Sequence, residues 1–406
     1  MLGRLRWYEE PISVIKFGGS ILELRNLEII LKVIEGLYKN GKRLVIVVSA
    51  FRGFTDSLLA SLPEGINPEH ADSVLPLGEV ISARLVASAL KSRGIPAVYV
   101  DPFSDTWPII TDENFGNANP LLEECKKASR GLLRLINEGK VPVVAGYAGK
   151  TVTGKLTTLG RGGSDTTAIV LARCLGAYEV LLVKDVGGIY SSDPKIVKSP
   201  RVLEKIGIEE AIMLCKGGAR VLHPKALKYL DGNIRIKVAE LKESNIVVRS
   251  VVSGNLPKLS IELSDEKISI FTIIALNGAE NLIEPALSAI REAGGDVVSI
   301  STLEKGLIIY GKGDFNPILS SLHNRLVNKG VAIATSGIKD LALISVRGKE
   351  LDVTPGVVYE LLKPLAKEGI NVYGVQTVLS RIAIFVDWEL RERAYNLVRT
   401  SLGERY

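Results

Sequence analysis

Cysteine is scarce in this chain of 406 residues. Cys125, Cys174 and Cys215 stand far apart, odd in number and outside any CxxC or Cys/His spacing, which excludes a disulfide framework and gives no zinc site. The thiols read as reduced and mostly buried. Glutamine occurs once, at Gln376, and methionine twice, a shortage of labile side chains seen in heat-tolerant proteins. No uninterrupted apolar run approaches the roughly 18–20 residues of a membrane span, and the first residues, MLGRLRWYEEP, carry no apolar h-region. A cytoplasmic protein without membrane contact is expected. The net charge of +6 is spread without blocks of like charge or interleaved aromatics, so nothing points to a nucleic-acid partner. The three histidines, His70, His223 and His323, form no triad pattern.

What is present is the composition of an ordinary globular chain, 46% apolar and 24% charged, long enough for one large domain and smaller ones. From about Ile12 to Ser250, short β-branched runs (VIKF, RLVIVVSA, AVYV, VPVVAG, EVLLVKDV) alternate with helical patterns such as LEIILKVIEGLYKNG. Strands buried on both faces and joined by helices predict an α/β sandwich with a largely parallel central sheet. Near residues 251–267 the helical periodicity stops at Gly254 and Pro257, which marks a boundary. Two segments of similar layout follow, ISIFTIIALNGAENLIEPALSAIREAGGDVVSISTLEKGLIIYG and LALISVRGKELDVTPGVVYELLKPLAKEGINVYGVQTVLSRIAIFVDW. Each reads as a βαββαβ, ferredoxin-like unit whose open sheet face or edge can be buried against a copy of itself. The expected domains are 1–255, 256–336 and 337–406.

Three motifs carry chemistry. VIKFGGS ends a strand with Lys16 and the pair Gly18-Gly19, a place where backbone N–H groups approach a phosphate closely, although a tight turn explains a Gly pair equally well. TTLGRGGSDTTAIVLARCLGA is more specific. Gly160, Gly162 and Gly163 surround Arg161, and Ser164, Asp165, Thr166 and Thr167 are placed to cap the helix AIVLARCLGA, whose N-terminus is an anion site. KDVGGIYSSDP brings Lys184, Asp185, Tyr190 and Asp193 to the end of a strand, where ligands of open α/β sheets bind. GARVLHPKAL adds Arg220 and Lys225. His223 in it reads as structural.

In this order, and with VVSAFRGFTDSLL, PLGEVISARLVASAL and ITDENFGNANP between them, these segments resemble the aspartate kinases of the amino-acid-kinase family over residues 12–230, and the repeated C-terminal units resemble their paired ACT domains. The resemblance implies a three-layer α/β/α kinase domain and transfer of the ATP γ-phosphoryl group to the side chain of L-aspartate, the entry to lysine, threonine, methionine and isoleucine synthesis. It assigns Lys16 to the charge on the transferred group, with Gly18-Gly19 beneath it, and Asp165 to orienting the lysine and substrate. Glu79 is assigned to the substrate ammonium and Arg161 to its carboxylate. Ser49, Thr55 and Ser164 contact the substrate or its loop. Lys184, Asp185, Tyr190, Lys195 and Arg220 contact ATP, with Mg²⁺ on the phosphates and no protein metal site. Arg220 stands where the family has lysine, and Phe51 and Arg52 place bulk where small residues are usual, next to the substrate loop. In the ACT half, Asn281, Val298, Thr302 and Glu304 match effector contacts for lysine or threonine, Asn281 replacing a common Gly. Dimerisation through the ACT units is expected, with pairing into tetramers left open.

A carboxylate acceptor is already ionised at neutral pH, so transfer to it demands positioning and charge neutralisation rather than a general base, in keeping with the residues found. Two other readings remain at this point. One is a kinase for glutamate, an N-acylated amino acid or an aminoadipate derivative, though Glu79 finds no charge on an acylated nitrogen. The other is a non-catalytic ACT-based amino-acid sensor.

Overall fold

The structure, a computed structural model, describes residues 10–218, 222–230, 234–243, 245–254, 259–348, 351, 355–378 and 380–403. The chain divides into two compact units, Met1–Leu256 and Pro257–Tyr406.

In the first unit the strands are β1 (Ile12–Phe17), β2 (Arg43–Val48), β3 (Ala97–Val100), β4 (Ile110–Thr111), β5 (Val141–Ala145), β6 (Ala148–Thr151), β7 (Leu156–Thr158), β8 (Glu179–Lys184), β9 (Lys205–Gly207), β10 (Arg235–Lys242) and β11 (Asn245–Ser253). Among the described residues the main sheet runs β3-β5-β2-β1-β8-β10-β11-β9, parallel except for the pair β10–β11. Every residue of β1 and β2 is buried, so both sheet faces are covered, as an α/β/α sandwich requires. The covering helices are α1 (Leu24–Lys39), α2 (Phe54–Ala60), α3 (Pro68–Asp72), α4 (Leu77–Lys91), α5 (Leu122–Ala128), α6 (Arg130–Asn137), α7 (Gly163–Leu175), α8 (Ile208–Lys216) and α9 (Pro224–Leu227). One continuous core runs from Val14, Ile46 and Val143 on the strands to Ile34, Val86 and Ile169 on α1, α4 and α7. A small sheet, β4-β6-β7, sits beside it. The apolar stretch 68–91 spans α3 and α4, carries Glu79 and Arg84, and half of its most apolar window is buried in the fold, as in core helices. The three cysteines are free, and burial pushes the Cys125 thiol up to about 12.

The second unit is antiparallel: β12 (Ser260–Leu263), β13 (Ile268–Ala275), β14 (Asp296–Leu303), β15 (Gly306–Lys312), β16 (Ala332–Arg347), β17 (Val372–Val378) and β18 (Arg381–Asp387), in the order β14-β15-β13-β16-β18-β17, with β12 beside β16. The helices α10 (Ile283–Glu292), α11 (Phe315–Leu322), α12 (Val357–Lys367) and α13 (Arg391–Gly403) complete the two repeats. The sequence boundary at 336/337 falls inside β16, one strand that pairs with β13 through its first half and with β18 and β12 through its second. Gly337 lies within it and Asp340, with φ 59°, marks a register shift against β13, but the strand continues past both, so the repeats share it. β12, which precedes the first repeat, packs Ile261 and Leu263 into the core of the second.

Strand alternation explains how the repeats join. On β13, Phe271 and Ile273 face the α10–α11 core, while Ile268 and Ile270 point the other way. That second face forms a cluster with Tyr310, Leu341, Leu343 and Phe385, in which the Tyr310 and Phe385 rings stack at 4.0 Å between centroids. Each repeat therefore covers part of its open face with the other, and Gln376 on β17 donates to Ser301 Oγ on β14 at 3.1 Å.

Candidate active site

The carboxyl ends of β1, β2 and β8 meet the N-terminal ends of α4 and α7 around a cavity of about 450 Å³. Ligands of open parallel sheets bind at such strand ends, where the connections leave in opposite directions. The lining includes Lys16, Ser49, Thr55, Glu79, Arg161, Ser164 and Asp165, so every residue that the sequence marks for catalysis or substrate is gathered here.

Lys16 lies within a fully buried strand and needs a counter-charge. Asp165, in the first turn of α7, supplies it, with Oδ1 at 2.8 Å from Lys16 Nζ and Oδ2 at 2.8 Å from Lys184 Nζ. Burial alone would raise the Asp165 pKa, but the two ammonium groups outweigh it and hold the carboxyl well below the usual carboxylate range. Burial pulls Lys16 below its ordinary value against the attraction of Asp165, and Lys184 adds to the lowering. Two cations thus converge on one carboxylate at the cavity floor, a concentrated positive field in a site shielded from water.

The helix α7 begins earlier than its sequence suggests. Gly162, with φ 71°, is the N-cap and makes no side-chain cap hydrogen bond. Thr166 and Thr167 lie inside the helix and donate to the carbonyls of Gly162 and Gly163, both at 3.1 Å. The expected cap by Ser164 to Thr167 is therefore corrected. Glycine allows the left-handed turn that starts the helix ahead of them; Gly163 N–H donates to the Gly160 carbonyl at 3.0 Å, and among the described residues no side chain caps the helix start. Ser164 Oγ instead accepts from Ser49 Oγ at 3.1 Å.

Glu79 is buried, and its Oε2 has no hydrogen-bond partner among the described residues. Burial pushes its pKa up to about 7, against backbone N–H groups and Lys16, which favour the charged form. Arg161, exposed in the lining of the same cavity, has no ion pair among the described residues. Phe51 and Arg52 do not crowd the cavity: Phe51 packs against the core, and Arg52 pairs with Glu23 at 2.6 Å.

The nucleotide residues are brought together only in part. Gly18 donates to the Val183 carbonyl at 3.1 Å, tying the Gly18-Gly19 turn to β8, and a Cβ on Gly18 would lie 3.4 Å from Lys16 Nζ. Asp185 Oδ1 accepts from Ser20 Oγ at 2.9 Å across the same turn. Tyr190 bridges to Val202, and Lys195 is exposed in the connection beyond it. Arg220 lies outside the described residues. Of the four effector residues, Asn281 is exposed in a 3₁₀ turn, Val298 on β14 packs against the cluster shared by the repeats, and Thr302 and Glu304 are exposed where β14 turns into β15.

Sequence reasoning missed Gly116 and Tyr147 as cavity residues and gave no role to Asp72 and Lys225. Tyr147 has φ 63°, an outlier for an aromatic residue, and packs so closely on Gly163 that a Cβ there would touch it. Asp72 and Lys225 bind backbone groups, which leave no mark in motif spacing. Only the segments that they hold, FGNANP and TTLGRGG, carry a signal.

The amino acid kinase family profile matches residues 11–240, and an ACT domain profile matches residues 336–400. An aspartokinase of Bacillus sp. (strain MGA3) is 33% identical over 408 residues, 93% of each chain. The solved aspartate kinase of Synechocystis has a similar fold, with a TM-score of 0.72 at 23% identity, covering 97% of this chain and 69% of that one. E. coli aspartokinase III, solved in complex with aspartate and ADP (R-state), gives a TM-score of 0.55 at 23% identity over 96% and 99%. The chain belongs to the amino acid kinase family and, within it, to the aspartokinases.

Proposed function

We propose that the protein transfers the γ-phosphoryl group of ATP to the side-chain carboxylate of L-aspartate, giving 4-phospho-L-aspartate and ADP. The observation that carries this reading is a pair of opposite charges lining one cavity without an ion pair among the described residues, the buried Glu79 carboxylate and the Arg161 guanidinium, beside the Lys16–Asp165–Lys184 cluster. An α-amino acid carries the complementary ammonium and carboxylate, and a second carboxylate is then left to face Lys16.

In the reaction one oxygen of that second carboxylate forms a bond to the γ-phosphorus while the bond from phosphorus to the β-γ bridging oxygen breaks and its electron pair leaves with ADP. No proton has to be removed from the acceptor. The work of the chain is alignment and charge neutralisation. Glu79 and Arg161 hold the amino acid, and Ser49, Thr55 and Ser164 fix its rotation. Lys16 and Lys184, held apart and aimed by Asp165, offset charge on the transferred group. The close turn at Gly18-Gly19 and the uncapped start of α7 fit a phosphate chain, with Lys184, Asp185, Tyr190, Lys195 and Arg220 on the nucleotide side. Mg²⁺ would be carried on the phosphates, as suits a hard ion that keeps much of its water. The reading extends to a cytoplasmic homodimer joined through the ACT units, inhibited by lysine or threonine bound near Asn281, Val298, Thr302 and Glu304. Exposed apolar residues on that unit, among them Leu303 and Val378 on β14 and β17, support self-association.

The test is an ATP-dependent acyl-phosphate assay with hydroxylamine trapping on L-aspartate, L-glutamate and N-acetylglutamate, each with and without lysine and threonine. Activity on aspartate alone is expected, with Lys16→Ala lowering kcat by about 10³-fold or more. Activity confined to another carboxylate would overturn the assignment.

A further inference from the structure

Two buried charges outside the reacting centre hold the cavity wall that carries Arg161. Asp72, fully buried at the end of α3, accepts from the backbone N–H of Gly116 at 2.8 Å and of Thr158 at 2.9 Å, and from Thr158 Oγ1 at 2.7 Å. Lys225, 8% exposed on α9, donates through Nζ to four oxygens of the same two segments: Asn117 Oδ1 at 2.7 Å, the carbonyls of Ala118 and Leu159 at 2.8 Å each, and the Asn117 carbonyl at 3.1 Å. The carboxylate collects N–H groups and the ammonium collects carbonyls. An ammonium has three protons, so four oxygens at this range form a shell like that around a monovalent metal cation rather than a set of directed bonds.

We infer that Lys225 is a positioning residue for substrate binding: a tethered monovalent cation that fixes the backbone on both sides of Arg161 and so sets where its guanidinium reaches. This deepens the aspartate-kinase reading and rests on it. Three observations carry the step. Lys225 grips the carbonyl of Leu159, two residues before Arg161. Its hold on Asn117 Oδ1 keeps that amide beneath Gly160, where a Cβ would collide with it. On the far side of Arg161, His223 of the same short segment fills the space against Gly162, and its Nδ1 accepts the Lys225 backbone N–H at 3.4 Å. Arg161 is flanked by glycines at both positions and has no ion pair of its own among the described residues, so its placement depends on this backbone.

The test uses the full chain with Lys225→Met, Lys225→Ala and Asn117→Ala, comparing KM for aspartate, KM for ATP and kcat. With Lys225→Met, KM for aspartate is expected to rise about tenfold or more while KM for ATP stays within about twofold. In Lys225→Ala, added n-butylammonium is expected to recover aspartate affinity by refilling the shell. Asn117→Ala removes one acceptor without deleting a buried charge, so it carries the test if the lysine variants do not fold, and about a threefold rise in aspartate KM is expected. An unchanged aspartate KM in the folded variants, or equal losses for both substrates with no recovery by the amine, would overturn the inference. A wild-type protein without aspartate-dependent turnover would instead overturn the proposed function, and this inference with it.

Discussion

At the scale of the residue, Glu79 makes the sharpest prediction. Its pKa stands raised to about 7 because burial disfavours the charged form, yet a substrate ammonium pairs only with the ionised carboxylate. Aspartate affinity is therefore expected to rise about tenfold per pH unit up to about pH 7 and then to flatten, while Glu79→Gln binds weakly and without that slope; titration calorimetry at several pH values checks it. The sign for stability is opposite. A raised carboxylate pKa contributes stability that is full below the ordinary value of 4.5 and is lost as pH rises through about 7. At pH 8 the ligand-free Glu79→Gln protein should accordingly be more stable by about 1–3 kcal/mol, measured by denaturant unfolding. The family resemblance marks residues of this kind because their neighbours in the chain are distinctive: Glu79 in PLGE, Arg161 between glycines, Lys16 before a Gly pair. Asp72 is not so marked, since two of its three partners are the N–H groups of Gly116 and Thr158, backbone groups that look the same in every sequence, and the third is a single threonine hydroxyl.

At the scale of the element, the start of α7 decides the site. Had the helix begun after Thr167, Asp165 would sit in a loop; beginning at Gly163, it places Asp165 in a rigid first turn against both lysines. Gly162 makes this possible, with φ 71° and His223 filling the space where a side chain would be. Gly162→Ala is expected to cost about 2–5 kcal/mol, from a strained left-handed alanine and overpacking, and to show as a lowered denaturation midpoint. Pattern reading placed the helix start too late because Ser, Asp and Thr are the usual caps, and it could not tell a capping threonine from one that bonds back within the helix. The boundary drawn at 336/337 lies within β16, and a strand shared between two repeats has the same local signal as two strands in sequence.

At the scale of the molecule, the alternation of strands and helices made the parallel sheet legible, and the repeat made the paired ferredoxin-like units legible. How the repeats cover one another was not, because the cluster of Ile268, Ile270, Tyr310, Leu343 and Phe385 joins residues far apart in the chain. Among the described residues the core of the first unit and those of the second are separate clusters. Calorimetry is expected to resolve two unfolding transitions, of which saturating aspartate at about 100 times its Kd raises only that of the first unit, by about 2.7 kcal/mol. Phe385→Ala should lower the other by about 3–5 kcal/mol as a single transition, since its ring serves both repeats.

The central claim is that the cavity recognises a zwitterion and presents its second carboxylate to Lys16. The most direct measurement is acyl-phosphate formation from ATP with L-aspartate against N-acetyl-L-aspartate, which keeps both carboxylates and loses only the ammonium. The account predicts turnover of aspartate and a kcat/KM at least about 100-fold lower for the acetylated compound, because Glu79 is then left buried without a partner. Equal turnover of the two, or turnover of neither, would contradict it.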